Sequence, residues 1–129
     1  MTPELHCLAW AVALGIAHVF IAASLATHQR GLQWNVGNRD GIAAPLTGYA
    51  SRADRASRNF LETFPFFAAL ALGVVLAKVN SEHTALGAQI YVWARVAYLP
   101  IYIIGIPYVR TLVWGAGFWG LLQMLYPLV

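Results

Sequence analysis

Long apolar runs, each close to the length of a bilayer crossing, alternate with short polar joints along this chain. The runs cover residues 5–27, 60–79, 84–106 and 108–128. A hydrocarbon core about 30 Å thick takes roughly 20 apolar residues in helical form. The pattern therefore predicts an all-α integral membrane protein: one domain, residues 1–129, built as a four-helix bundle. Residues 28–51 form a polar joint carrying Gly, Asn, Asp and Pro. Asn80, Ser81, Glu82 and His83 read as a tight turn, and Gly105-Ile106-Pro107 breaks the last two helices apart. Pro107 suits the first turn of a helix, where its missing N–H costs nothing. The first run lacks a basic flank, carries Glu4 and exceeds the usual 7–15 apolar residues of a signal peptide, so it reads as a span.

Composition strengthens the membrane reading. Sixty per cent of the 129 residues are apolar and 10% charged, against about 45–50% and 25% in soluble domains. A soluble domain of this size cannot hide so much apolar surface, and so few charges exclude a disordered chain. The single cysteine, Cys7, excludes an intramolecular disulfide and a cysteine-based zinc site, and no metal is expected.

Charge orients the spans. Eight basic residues against five acidic ones give a net charge of +3. Arg30, Arg39, Arg52, Arg55 and Arg58 crowd the first joint and the start of span two, and Arg110 follows the third joint; the second joint offers only Lys78. The bias places the first and third joints in the cytoplasm and both termini on the other side. A nucleic-acid partner is not expected, because the basic residues sit in a connecting segment without aromatic platforms. Anionic membrane lipid, or an anionic small molecule at the membrane face, fits better.

Small residues predict where helices approach. Ala9, Ala13 and Ala17 recur every four residues on span one, and Gly115, Gly117 and Gly120 lie on span four. The glycines spell GxGxxG, but a dinucleotide site needs a βαβ unit that this pattern does not offer.

Ionisable residues inside spans point to function. Arg55, Arg58, Asn59 and Glu62 share one face of span two, and Tyr91, Arg95, Tyr98 and Tyr102 share one face of span three. Two polar stripes would then face each other at the cytoplasmic mouth. A structural alternative makes Arg58 a surface anchor and Glu62–Arg95 an interhelical ion pair. Depth disfavours that pair, since Arg95 lies about 15 Å below Gly105 at 1.5 Å per residue while Glu62 lies nearer the surface. His18 reads as a hydrogen-bonded packing residue, His6 and Cys7 as outer-end residues without a role, and Tyr108 and Tyr126 as interfacial anchors.

Arg55-x-x-x-Asn59-x-x-Glu62-x-x-Pro65, followed by Ala94-Arg95-x-x-Tyr98-x-x-x-Tyr102 and Arg110, resembles the MAPEG family, membrane-associated proteins in eicosanoid and glutathione metabolism. The likeness is to a bacterial-type member, and the compact chain with no targeting extension leads us to expect a bacterial inner membrane. It implies a homotrimer holding glutathione, as co-substrate, between subunits near the cytoplasmic face. Transfer to lipophilic electrophiles, or reduction of lipid hydroperoxides, is the implied chemistry. By this resemblance Arg55, Asn59, Glu62, Tyr98 and Tyr102 hold the peptide, with Arg95 on the same stripe. Arg58 matches an arginine of some members, and Arg30 a basic residue that reaches the ligand across the subunit boundary. Arg110 matches the arginine that stabilises the thiolate. Residue chemistry agrees independently: two carboxylates and an ammonium call for several arginines and an acid. An arginine at a helix N-terminus favours a thiolate. The competing expectations are a small four-span transporter, disfavoured by the shallow Glu62 among arginines, and a non-catalytic membrane scaffold.

Overall fold

The computed structural model describes all residues, 1–129, and is entirely helical. Helix α1 spans Pro3–Arg30, the short α2 Leu32–Val36, α3 Gly48–Leu76, α4 Glu82–Ile104 and α5 Pro107–Leu125; a 3₁₀ turn, Tyr126–Leu128, closes the chain. α1 packs on α3, α3 on α4, and α4 on both α1 and α5. The boundaries have local causes. Thr2 caps α1 by accepting from Leu5 N at 3.3 Å. Ser81 and Thr84 form a capping box at the start of α4, so Glu82 and His83, read as turn residues, open the helix. α4 ends on Gly105 at φ +94°, a left-handed conformation open to glycine, and Pro107 starts α5. α4 continues through Pro100 to Ile104.

Two expectations about the joints and stripes are corrected. The polar joint 28–51 is half helical: α1 runs to Arg30, α2 follows at Leu32–Val36, and α3 starts at Gly48, twelve residues before its apolar run, which leaves 37–47 as the loop. The small stripe of α1 is not its packed face. Ala9 and Ala13 are exposed, and the buried positions are Glu4, Cys7, Ala11 and His18, a 3-4-7 progression on another side of the helix. On α5 the glycine expectation holds at Gly117 and Gly120, which are buried against α4. A Cβ on Gly120 would stand 2.5 Å from the Gly87 carbonyl.

Only 25 of 129 residues are buried, so most of the apolar side chains face outward. Trp10, Phe20, Phe66, Trp93 and Leu112 are among the exposed ones. A surface this apolar is suited to lipid. α1 and α3 are each long and apolar enough to cross a membrane, with mean hydropathy 2.1 and 1.7 over their best windows. Inside, Phe67 stacks on Tyr91 at 4.3 Å between α3 and α4. Cys7, Ala11, Ala71, Leu121 and Met124 complete that core.

Candidate functional site

Where α3, α4 and α5 meet near the α4–α5 joint, a cavity of about 240 Å³ is lined by Asn59, Tyr98, Tyr102, Arg110, Thr111 and Trp114. Its parts follow from helical spacing. Tyr98 and Tyr102 lie one turn apart on α4 and meet edge to face at 5.4 Å. Arg110, in the first turn of α5, holds its guanidinium 4.7 Å above the Tyr102 ring. Arg55 reaches the same tyrosine from α3, donating from Nε to the hydroxyl at 3.2 Å and from Nη1 to Ser51 Oγ at 2.6 Å. Two cations on one phenol, with no carboxylate bonded to either, form a site ready for an anion.

Arg95 lies behind this wall at 1% exposure. Its Nη1 donates to Asn59 Oδ1 at 2.8 Å, and its guanidinium covers the Tyr98 ring at 4.2 Å and the Phe60 ring at 5.5 Å. Its Nε and Nη2 have no partner. Arg95 therefore fixes one lining residue by hydrogen bond and another by stacking.

The stripe on α3 divides. At 100° per residue, Asn59 and Arg58 sit at opposite edges of a face roughly 100° wide. Asn59 turns to Arg95, while Arg58 turns outward, 76% exposed, and pairs with Asp54 at 3.1 Å. This is the one ion pair in the chain, so the structural alternative of a Glu62–Arg95 bridge fails, and the arginine takes Asn59 instead. Glu62 is exposed on the outer surface of α3. Arg30 does not line the cavity; it donates to Ala44 O at 2.8 Å and lies in a second pocket at the end of α1.

Several residues escaped the sequence reading. Trp114 lines the cavity four positions beyond Arg110, a helical spacing that could have found it, whereas Thr111, next to Arg110 in sequence, carried no such signal. Arg52 donates from Nε to Ile103 O at 2.7 Å, tying α3 to the last turn of α4. Glu4 is 1% exposed and accepts from Thr84 Oγ1 at 2.6 Å, joining the starts of α1 and α4. The hydrogen bond expected of His18 is absent: neither ring nitrogen has a partner, and the ring stacks on Phe60 at 4.8 Å.

An all-helical chain with an apolar exterior and an arginine-tyrosine pocket at one end belongs to a membrane-associated class of protein. A model of the MAPEG family matches residues 7–129, nearly the whole length, and the chain belongs to that family. No curated protein and no solved structure matches it.

Proposed function

We propose that this protein is a membrane-bound, glutathione-dependent transferase or peroxidase acting on lipophilic electrophiles or hydroperoxides. The observation that carries the reading is the pair of guanidiniums, Arg55 and Arg110, converging on Tyr102 beside a polar cavity. Glutathione brings two carboxylates, an ammonium and a thiol. Arg55 supplies a carboxylate partner; Asn59, Tyr98 and Thr111 supply hydrogen bonds; Glu62, on the same face of α3, is the acid suited to the ammonium. Arg95 positions Asn59 and Tyr98, and Arg58 adds positive charge at the rim.

Arg110 meets the sulfur. A free thiol has a pKa near 8.5 and is mostly protonated at neutral pH. Arg110 combines a formal charge with the positive end of the α5 dipole, and both favour the thiolate. In conjugation, the thiolate forms an S–C bond to the electrophile as the leaving group departs with the bonding pair. In peroxide reduction, it attacks the distal oxygen of ROOH, giving ROH after proton uptake and a glutathione sulfenic acid. A second glutathione then condenses with the sulfenic acid to the disulfide and water. Trp114, stacked with Phe118 at 5.5 Å, extends the cavity wall along α5 toward exposed apolar surface, a route for a lipophilic substrate from the bilayer.

A cavity of about 240 Å³ is below the ~300 Å³ at which pockets for drug-sized ligands begin. A four-span bundle assembled as a homotrimer would enlarge it, and Glu62, exposed on this chain, would line the added wall. The arginine bias of the α1–α3 and α4–α5 joints supports a site on the cytoplasmic face with both termini opposite, and a bacterial inner membrane is the compartment proposed with it. Calorimetric titration of glutathione into the detergent-purified protein tests the reading. Saturable binding that Arg55→Ala weakens at least tenfold is expected; a folded protein that takes up no glutathione refutes it.

A further inference from the structure

Between α1 and α4 runs a groove of about 630 Å³, well inside the ~300–1,000 Å³ of small-ligand sites. Cys7, Trp10 and Ala13 line it from α1, and Gln89, Val92 and Trp93 from α4, at helical 3-4 spacing on each side. Cys7 and Val92 are buried and form the floor; Trp10 and Trp93 are exposed and stand at the rim, one on each helix. Ala13, exposed on α1, ends at Cβ and leaves the groove its width. This side of the bundle is not the side of the arginine–tyrosine cavity. At 3.6 residues per turn, the face of α4 carrying Gln89, Val92, Trp93 and Val96 lies about 140° around the helix from the stripe of Tyr91, Arg95, Tyr98 and Tyr102. In a three-fold ring both neighbours of a protomer lie on one side of it, so a trimer assembled around the α3–α5 side turns the α1–α4 groove toward lipid.

The lining selects its occupant by charge, by hydrogen bonding and by shape. No charged side chain lines the groove, and a charged head would lose its hydration there without a counter-charge, so the ligand is neutral. Gln89 lies five residues inside the apolar run that begins at Thr84, about 8 Å along the axis at 1.5 Å per residue. Its amide is exposed and has no hydrogen-bond partner in the fold. An unpaired amide in hydrocarbon is costly, and a ligand carbonyl oxygen relieves it. The two indoles at the rim favour a flat π ring, by offset or edge-to-face contact. A phospholipid acyl chain would use neither the amide nor the indoles. From Gln89 to Val96 is about 10 Å at the same rise, enough for a ring and the first part of an apolar tail.

We propose that the α1–α4 groove binds a neutral lipophile with a flat, carbonyl-bearing ring, the quinone class. The carbonyl accepts from the Gln89 amide and the ring lies against Trp10 and Trp93. The proposal rests on the chain crossing a bilayer, not on the glutathione reading. Titration of the detergent-purified full chain with decylubiquinone, without glutathione and followed by tryptophan fluorescence, tests it. Two of the five tryptophans line the groove, so a saturable loss of about two fifths of the emission is expected. Gln89→Leu keeps the side-chain volume and removes one hydrogen bond, so half-saturation should rise about fivefold. Trp93→Leu should halve the saturable loss and raise half-saturation roughly threefold. Quenching that rises linearly, as for quinone dissolved in the micelle, overturns the proposal. So does unchanged half-saturation in Gln89→Leu, its fold checked by circular dichroism. Equal competition by decanol, which brings a hydroxyl and a chain but no ring, overturns the ring as the recognised group. Binding by single chains that is lost in particles of several chains makes the groove an interface between copies instead, and overturns it.

Discussion

Two glycines of α5 should respond to the same substitution in opposite ways. A Cβ built on Gly120 lies 2.5 Å from the Gly87 carbonyl oxygen and 3.1 Å from Tyr91 N, both backbone atoms of α4. Backbone cannot swing aside as a flexible side chain can. To reach ordinary contact at 3.4 Å, the closest approach must open by 0.9 Å along the whole α4–α5 seam. Overpacking of this kind costs about 1–3 kcal/mol, and a backbone clash belongs at the upper end. Helix propensity returns at most about 1 kcal/mol for replacing glycine. Gly120→Ala should therefore destabilise by about 2 kcal/mol. Gly115, five residues earlier, has nothing within 4 Å of its Cβ direction, so Gly115→Ala should keep the propensity gain of up to about 1 kcal/mol. Thermal unfolding in detergent, followed by the fluorescence of the five tryptophans, reads both. Shifts of the same sign, or an unmoved Gly120→Ala, would refute the close approach of α4 and α5. Because that seam carries Arg110 onto Tyr102, Gly120→Ala should also weaken glutathione binding.

Other expectations are briefer. Arg110→Ala should cost a charge-assisted hydrogen bond of about 1.5–3 kcal/mol to the bound thiolate, lowering conjugation of a generic electrophile by ten- to a hundredfold; Arg58→Ala, which loses only its pairing with exposed Asp54, should change it far less in an activity assay. Thr84→Val removes the donor to buried Glu4 and one half of the capping box, a loss of about 1–3 kcal/mol measurable as a lower melting temperature. Arg52→Ala removes the donor to Ile103 O and should speed hydrogen exchange over the last turn of α4, with a stability loss of about 1 kcal/mol.

The helices were legible because lipid imposes a simple rule: every backbone group must be satisfied within the segment, so apolar run length maps directly onto helix existence. The break at Gly105–Pro107 was equally legible from local backbone chemistry. The first turn of α3 was not, because Gly48 to Ser51 lies ahead of both the apolar run and the Arg55–Glu62 spacing, and its start is tied down by the long-range bond from the Arg52 side chain to the α4 backbone. Spacing identified the inward stripe of α4, where Tyr91, Arg95 and Tyr98 are all buried. It could not divide the α3 stripe, since helical periodicity gives a face about 100° wide and not which edge meets a neighbour. Hence Asn59 and Arg58 looked equivalent and are not. The alanine repeat of α1 misled for a related reason: small side chains permit close approach without requiring it. The face that packs instead carries Glu4 and His18, whose burial no local pattern announces.

The central claim is that Arg110 and its helix terminus stabilise a glutathione thiolate beside Tyr102. Ultraviolet difference absorbance of the thiolate, recorded on mixing glutathione with the purified protein at neutral pH, tests it most directly. The account predicts a thiolate signal that saturates at one equivalent or less per chain and disappears in Arg110→Ala, while that variant still binds glutathione through Arg55. Binding without any thiolate signal in the wild type, or an equal signal in Arg110→Ala, would contradict it.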